Sequence, residues 1–254
     1  MKHSIKSIKG FSIGALDGHI GEVKEFYFDD ASWTIRYLVV ETGSWLSGRK
    51  VLISPHAVKG VNTEDKTIPV NLTKEQIKNS PDVDTEKTVS RQQELSLYDY
   101  YGWPYTDPIG LGFYGGFGYE NMVDTRIPFE DQIALQKSKE EKGDPHLRSS
   151  KEVKSYTIHA TDGEIGDVED FIFDDVSWRI HFMVVDTGRW LPGKKVLISP
   201  KWIKEIKWET AEVVVDLTVE AVKNSPKYDH SLPFPDVYEV TLYEYYETQR
   251  QVGR

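Results

Sequence analysis

The sequence contains no cysteine. Disulfide bonds, thiolate nucleophiles, iron–sulfur clusters and c-type haem attachment are therefore excluded, because each requires a cysteine sulfur. A chain without cysteine is typical of a reducing compartment, so we expect a cytoplasmic protein. We predict no cofactor.

Long apolar segments are also missing. No run approaches the roughly 18 apolar residues that a membrane-spanning helix needs. Residues 1–10 carry charges but no apolar stretch of the kind found in a signal peptide. We therefore predict no membrane insertion.

Basic residues are the minority among the charges. The chain has 31 Lys and Arg against 41 Asp and Glu, a net charge of −10, and half of the acidic excess falls in residues 85–145. Nucleic-acid phosphates are bound by basic surfaces, so this balance disfavours DNA or RNA as a partner.

What the chain does contain is an internal repeat. Residues 29–55 read DDASWTIRYLVVETGSWLSGRKVLISP, and residues 174–200 read DDVSWRIHFMVVDTGRWLPGKKVLISP. Adding 145 to a residue number carries the first copy onto the second without a gap. One domain is therefore used twice. We assign the copies to residues 1–84 and 146–229, a connector to residues 85–145, and a helical C-terminal tail to residues 230–254.

Short strands with turn residues between them predict the fold of each copy. Apolar residues alternate over Thr34–Glu41, a further strand covers Lys50–Ile53, and a β-bulge near Lys24 would bring the apolar residues of the preceding strand onto one face. Residues 56–61 and 67–72 supply two more strands. Thr73 and Gln76 then form a capping box that begins a short helix.

The fold class that follows is mainly β. It consists of two small antiparallel β-barrels, each with one short helix. The connector that joins them is expected to contain helical pieces and a loop rich in glycine and aromatic residues.

Several motifs of the repeat resemble those of the PRC-barrel family. They are Asp-Gly-x-Ile-Gly-x-Val, the Trp and Val-Val-Asp/Glu-Thr-Gly strand, Trp-Leu-x-Gly-x-Lys, Leu-Ile-Ser-Pro, Leu-Thr and Asn-Ser-Pro. The resemblance covers about 70 residues of each half and extends to bacterial proteins with two PRC-barrels. It implies a six-stranded barrel that binds another protein and is not an enzyme.

Two family members suggest narrower alternatives. The cytoplasmic domain of the photosynthetic reaction centre H subunit implies an accessory protein of such a centre, and the C-terminal domain of the ribosome maturation factor RimM implies a role with ribosomes or RNA. From this sequence we expect neither the membrane helix of the first nor the N-terminal domain of the second. The resemblance therefore predicts a scaffold or adaptor that binds a protein or associates with itself, through barrel–barrel packing or as a homodimer.

Aromatic residues are the candidates for partner binding, because aromatic side chains carry much of the binding energy at protein interfaces. The same side chains could instead pack within the protein or between the barrels. The candidates are Trp103, Tyr105, Phe113, Tyr114, Phe117 and Tyr119 of the connector, with Trp202 and Trp208 of the second copy.

A basic turn occurs in both copies and is a candidate contact for an anion. Charged residues beside a strand also discourage edge pairing, which is the alternative interpretation. The residues are Arg49, Lys50, Arg189, Lys194 and Lys195.

No pattern predicts catalysis or a metal site. Gly110 to Gly115 have the spacing of a dinucleotide fingerprint but lack the flanking strand and helix. Paired carboxylates at Asp29-Asp30 and Asp174-Asp175 are interpreted as solvated turn residues. The seven histidines form no HxxxH or HExxH pair. We therefore predict that the protein is not an enzyme and binds no metal.

Overall fold

The computed structural model describes residues 1–81, 91–103, 146–188, 193–229 and 234–252. In the first half, the elements are β1 Lys2–Ser4, α1 Ile5–Ile8, β2 Ser12–Ala15, β3 Gly18–Asp29, β4 Thr34–Glu41, β5 Lys50–Ile53, β6 Thr67–Pro69, α2 Lys74–Lys78 and α3 Arg91–Tyr101. In the second half, they are β7 Leu147–Ser149, α4 Ser150–Val153, β8 Thr157–His159, β9 Glu164–Asp174, β10 Ile180–Asp186, β11 Lys195–Ile198, β12 Ile203–Lys207, β13 Glu212–Val215, α5 Val219–Asn224 and α6 Asp236–Val252.

The protein is mainly β, as predicted, and its strands form two sheets. One sheet has the order β5-β4-β3-β2-β6, with β7 also paired to β3. The other has the order β11-β10-β9-β8-β13-β12, with β1 also paired to β9. Over the part of the chain that the structure describes, each order is an open path.

The prediction of purely antiparallel sheets is wrong. β2 and β6 run parallel, with Ile13 opposite Ile68, and β8 and β13 run parallel in the same way, with Ile158 opposite Val213. These strands are far apart in the sequence, so no hairpin forces them to be antiparallel. Both sheets are therefore mixed.

Several local predictions are confirmed. β4 and β5 have the expected bounds, and Thr73 and Gln76 form the capping box of α2. In the second copy Val184 faces Asp170 and Val185 faces Val168. Glu169, the counterpart of Lys24, is therefore the extra residue of the predicted β-bulge.

The strand predicted at residues 56–61 is wrong. A 3-10 turn occupies Pro55–Ala57, with the Ser54 side chain accepting a hydrogen bond from the backbone N–H of His56. Proline cannot donate a backbone hydrogen bond, which interrupts the ladder at that point. Beyond it the segment contributes isolated bridges, Val58 to Val70 and Asn62 to Thr67.

The chain divides into two compact units whose boundaries differ from those of the repeats. Unit 1 comprises Met1–Lys9, Trp33–Ile35 and Ser149–Arg254, and unit 2 comprises Gly10–Ser32 and Arg36–Arg148. Unit 1 thus consists mainly of the second repeat but takes its first nine residues from the other end of the chain.

Each unit has an apolar core of large side chains. Complete burial of one such side chain contributes about 1.5–3 kcal/mol to stability. The largest fully buried ones are Trp202, Tyr246, Phe171, Phe173 and Phe182 in unit 1, and Tyr37, Phe26, Phe28, Ile13 and Ile20 in unit 2.

Candidate interaction site: strand docking in each unit

In unit 1, the strand β1 docks beside the C-terminal end of β9. The two strands are antiparallel, with Lys2 opposite Asp174, His3 opposite Phe173 and Ser4 opposite Ile172. The backbone N–H of Asp175 continues the ladder by donating to the carbonyl of Met1 at 3.0 Å. A segment of the first repeat therefore extends the sheet of the second repeat by one strand.

The turn that follows β1 anchors this strand. Ser4 caps α1, because its hydroxyl accepts a hydrogen bond from the backbone N–H of Ser7 at 3.2 Å. The helix then buries Ile5 and Ile8, which are 3% and 0% exposed. Two apolar side chains spaced three apart thus hold the docked segment in the core of unit 1.

Buried polar contacts add specificity to the docked strand. The Ser4 hydroxyl donates to the carboxylate of Asp170, which also accepts from the backbone N–H of Lys6 at 3.1 Å. Burial raises the pKa of Asp170 despite these hydrogen bonds. His3 Nε2 lies 2.9 Å from Asp175 Oδ2.

The helix α6 is also linked to the docked strand. Lys2 Nζ lies 2.6 Å from Glu239 Oε2, and Glu239 Oε1 lies 3.0 Å from His181 Nδ1 of β10. Glu239 therefore connects the docked strand, the sheet and the helix of unit 1.

Unit 2 contains the corresponding arrangement. β7 pairs with β3, and the backbone N–H of Asp30 donates to the carbonyl of His146 at 2.9 Å. Arg148 Nε donates to Asp30 Oδ2 at 2.9 Å. The shift of 145 relates Arg148 to His3 and Asp30 to Asp175. The first strand of each repeat therefore lies in the unit built mainly from the other repeat.

A second repeat-to-repeat pairing lies within unit 1. Thr34 forms an antiparallel bridge with Arg179, its own counterpart in the repeat. The Ile35 N–H donates to the carbonyl of Trp178 at 2.8 Å, and the Ile180 N–H donates to the carbonyl of Trp33 at 2.7 Å. These two bonds are equivalent under the shift of 145, so the local contact has two-fold character.

The two tryptophans at this contact have unusual backbone geometry. Trp33 and Trp178 both have φ of +55°. A bulky residue in the left-handed region costs about 1–3 kcal/mol. Because both copies retain this conformation, the surrounding contacts must supply that energy at each position.

The paired carboxylates were expected to be solvated, and this expectation is wrong. Asp29 is 1% exposed, accepts from the Ser32 N–H at 2.7 Å and lies 3.6 Å from Arg36 Nη1. The predicted role in the turn is confirmed by that bond to Ser32. The carboxylate is nevertheless buried, beside the guanidinium of Arg36.

Asp174 makes the equivalent turn in the second repeat. Burial acts to raise the pKa of this carboxyl group, but hydrogen bonds from the N–H and hydroxyl of Ser177 and from the Val176 N–H outweigh it, and its pKa falls to about 2. The carboxylate is therefore ionised at any pH at which the protein is ordinarily handled.

The helix α3 covers unit 2 through a buried ion pair. Glu94 is 0% exposed, and its Oε1 accepts from Arg36 Nη2 at 2.6 Å and from the Tyr37 hydroxyl at 3.0 Å. Arg36 and Glu94 correspond to His181 and Glu239 of unit 1. Each sheet thus presents a nitrogen donor group to an acidic residue on its covering helix.

A tyrosine contact is repeated in the same way. The Tyr100 hydroxyl donates to the carbonyl of Gln76 at 2.8 Å, and the Tyr245 hydroxyl donates to the carbonyl of Ala221 at 2.7 Å. Both pairs are related by 145 residues. The helix α3 therefore docks against α2, and α6 docks against α5, with the same geometry in both repeats.

The candidate tryptophans pack against these helices. Trp103 is 8% exposed and stacks on Tyr101, with ring centroids 4.3 Å apart. Trp202 is 1% exposed and packs on Tyr246 at 4.5 Å. Tyr101 and Tyr246 are counterparts, so each unit places one indole against the same tyrosine from a different part of the chain.

This arrangement explains why Trp202 stands opposite Ala57 in the repeat. The first repeat has Ala57 at this position and supplies its indole from Trp103, just beyond the end of α3. The second repeat has Trp202 instead, and Thr248 occupies the position that matches Trp103. Trp103 and Trp202 therefore pack within the protein, which was one of the two interpretations of the sequence.

Among the remaining aromatic candidates, the structure describes Trp208. Trp208 is half-buried, and its ring meets that of Tyr156 edge-on at 5.9 Å. The other candidates lie outside the described residues; they are Tyr105, Phe113, Tyr114, Phe117 and Tyr119.

The basic turns contact the ends of the short helices. Arg49 donates to the carbonyls of Lys78, Ser80 and Pro81 at 3.2, 2.9 and 3.1 Å. A cation at a helix C-terminus is stabilised by the unpaired carbonyls and by the helix dipole.

Lys194 makes the same contact in the second repeat. Its Nζ donates to the carbonyls of Lys223 and Ser225 at 2.5 and 2.8 Å. Lys195 pairs with Glu169 at 2.5 Å. Lys50 is half-buried at the start of β5, and Arg189 lies outside the described residues.

The described residues include no group of three or more His, Asp or Glu side chains arranged to hold a metal ion. They also include no helix that is both long and apolar enough to cross a membrane. A cavity of about 80 Å³ lies beside Thr161, Asp216 and Arg250. This volume is well below the 300–1,000 Å³ or so of ordinary small-molecule sites.

Comparison with known proteins identifies the class of the first repeat. Residues 2–77 match the family model of the PRC-barrel domain, so this part of the chain is similar to that domain. The matched span runs from the docked strand β1 to the helix α2. No curated protein is significantly similar to the chain.

Proposed function

We propose that this protein is a non-enzymatic scaffold or adaptor that binds another protein through two PRC-type β-barrels. The match of residues 2–77 to the PRC-barrel domain carries the proposal, because domains of this family serve as interaction modules. The lack of cysteine supports a cytoplasmic setting.

The second repeat is proposed to be a second PRC-type barrel. One support is a shared close approach of the backbone. A Cβ atom at Gly21 would lie 1.9 Å from the carbonyl oxygen of Glu41, and one at Gly166 would lie 2.1 Å from that of Asp186. Both glycines are the second of the Asp-Gly-x-Ile-Gly motif, so the motif has the same steric cause in both repeats.

The uses of the charged groups support a binding role over a catalytic one. Arg49, Lys194 and Asp30 are engaged with helix ends or with a docked strand. Catalytic carboxylates and cations instead converge on a cleft where a substrate can lie. Strand addition, by contrast, is a common mode of peptide recognition.

The partner is proposed to bind through the aromatic side chains of the connector. Such residues are enriched at the centres of protein interfaces. Because Trp103 packs on Tyr101, a test of the connector should leave Trp103 in place. The relevant residues are therefore Tyr105, Phe113, Tyr114, Phe117 and Tyr119.

The test is affinity capture from a lysate of the source organism with the full chain. A variant with those five aromatics changed to serine is compared with a control carrying Asn121→Ser and Thr125→Ser in the same connector. We expect one stoichiometric protein that resists high salt, binds again as a purified component, and is lost with the aromatic variant alone.

Other outcomes would count against the adaptor role. Ribosomal or RNA-containing material that is released by moderate salt would favour a role with ribosomes or RNA, because phosphate contacts weaken steeply with salt. Turnover of a small molecule by the purified protein would favour an enzyme. Absence of any partner under all conditions would contradict the proposal.

A further inference from the structure

The docked strand β1 is held by contacts between residues 1–9 and a small part of the second repeat. Most of that part is residues 170–175, and Glu239 of α6 adds the ion pair with Lys2. The backbone ladder, the buried Ile5 and Ile8, and the bonds to Asp170 and Asp175 all belong to this set. None of these contacts requires the two segments to belong to one molecule.

The polar groups of the docking site match the side chains of this strand. Asp175 is placed to meet a basic or imidazole side chain one residue before a serine, and Asp170 is placed to meet the serine hydroxyl and the N-terminal turn of a short helix. Residues 3–6 supply these groups in that order. The buried carboxylate of Asp170 would lose its hydrogen bonds if an unrelated strand took the site.

We propose that the docking site on β9 is an interaction surface for a second copy of this chain, which binds by inserting its own β1 in place of the resident strand. The inference does not depend on the proposed adaptor role. Identical contacts form in the exchanged state, which is the usual basis of domain swapping. The product is a strand-exchanged dimer.

The protein concentration determines whether the monomer or the strand-exchanged dimer forms. A strand that belongs to the same chain competes at an effective concentration in the millimolar range when the link is short and flexible. The monomer is therefore favoured in dilute protein. Exchange is favoured when chains fold together at high concentration, because both states are then accessible from the unfolded chain.

The absence of cysteine allows a direct test by disulfide trapping. Lys2 and Asp174 are register partners, and Cβ atoms of such pairs lie about 4.5–5.5 Å apart, close to the geometry of a disulfide. One copy carries Lys2→Cys and the other carries Asp174→Cys. The two are mixed, unfolded, refolded over about 10 µM to 1 mM, a range whose upper end reaches the effective concentration of a linked strand, and oxidised.

We expect a heterodimer joined by a disulfide, with a yield that rises with concentration. A matched control mixture replaces Asp174→Cys with Glu164→Cys, at the exposed opposite end of β9. A chain carrying both Lys2→Cys and Asp174→Cys should form the bond within one molecule when refolded dilute.

Two results would overturn the proposal. The first is a heterodimer yield no higher than the control at every concentration, while the double variant closes its internal bond. The second is failure of a folded double variant to form that bond, which would contradict the docking itself. If Asp174→Cys prevents folding, the unsubstituted chain is refolded over the same concentrations and the dimer is measured by size-exclusion chromatography. A dimer yield that does not rise with concentration then overturns the proposal.

Discussion

Gly21 and Gly166 show how a sequence motif can reflect a single steric contact. Each lies on a strand that passes directly over a backbone carbonyl of the neighbouring strand, at a distance that leaves no room for a side chain. The contact is made by main-chain atoms, so a flexible neighbour cannot move aside to relieve it.

We predict that Gly21→Ala destabilises the protein by at least about 3 kcal/mol, because the backbone must shift to admit the methyl group. Gly14→Ala is the control, since a Cβ atom there meets nothing within 4 Å. Urea unfolding measures both. Equal stability of the two variants would show that the crossing of β3 and β4 is not tight.

Glu94 is a fully buried carboxylate that binds two groups of unit 2, the Arg36 guanidinium and the Tyr37 hydroxyl. We predict that Glu94→Ala costs about 3–5 kcal/mol, because it leaves Arg36 buried without its main partner. The matched variant in unit 1 is Glu239→Ala, at a side chain that is 17% exposed, and it should cost less than half as much. Thermal and urea unfolding compare the two; a larger cost at Glu239 would contradict the prediction.

The low pKa of Asp174 predicts that the stability of the protein depends on pH. Its pKa of about 2 in the folded protein lies below the ordinary 3.8. The unfolded chain therefore binds a proton first as the pH falls, so the stability that Asp174 contributes is complete above about pH 4 and is lost towards pH 2. The full contribution is roughly 2 kcal/mol.

The measurement is the free energy of unfolding between pH 2 and pH 5 for the native protein and for Asp174→Asn. The difference between the two should shrink by about that amount as the pH falls through this window. Parallel curves would show that the carboxylate is not specifically stabilised by Ser177 and Val176.

At the scale of elements, the docked strands β1 and β7 differ in their polar anchors. β1 uses His3 and Ser4, whereas β7 uses His146 and Arg148 on the single acid Asp30. The ladder in each case supplies affinity, and the side chains determine which strand fits.

We predict a coupling of about 1–2 kcal/mol between Arg148 and Asp30 in a double-mutant cycle with Arg148→Met and Asp30→Asn. Both side chains are largely buried, 18% and 8% exposed, so water screens the pair weakly. Lys207 and Glu212 form an exposed control pair, 45% and 30% exposed, whose coupling should be clearly smaller because water screens the two charges. Equal couplings would contradict a specific docking role for Arg148.

At the scale of the whole molecule, each compact unit contains residues of both repeats. Residues 1–9 belong to unit 1, and Arg148 belongs to unit 2. The contacts within each unit therefore join the N-terminal half of the chain to the C-terminal half without any need for the connector.

We predict that the two halves stay bound after the connector is cut. A protease site inserted between Gly115 and Gly116 of the full chain is cleaved after folding, and the fragments are followed by size-exclusion chromatography. They should elute together at micromolar concentration. Asp30→Asn combined with Asp175→Asn should weaken this association, because both docked strands lose their acidic partner.

Separation of the unmodified fragments would contradict the docking of β1 on β9 and of β7 on β3. As a control, Glu209→Gln, an exposed acid, should leave the association unchanged. A loss of association with that variant would indicate a general effect of net charge.

The sequence by itself determined the features that depend on neighbouring residues or on the repeat. Thr73 and Gln76 predicted the start of α2, the parity of residues near Lys24 predicted the bulge found at Glu169, and the 145-residue shift predicted which residues occupy equivalent positions. The PRC-barrel resemblance was confirmed for residues 2–77. These predictions succeed because turn chemistry and periodicity are local.

The tertiary structure alone decided which strands meet. The parallel pairing of β2 with β6, the burial of Asp29, and the docking of β1 on β9 all join segments distant in the chain. In a repeat, the first strand of either copy has the same pattern and could complete either sheet. The choice rests on contacts such as those of Asp170 and Asp30, which exist only after the chain has folded, and no periodicity in the sequence encodes them.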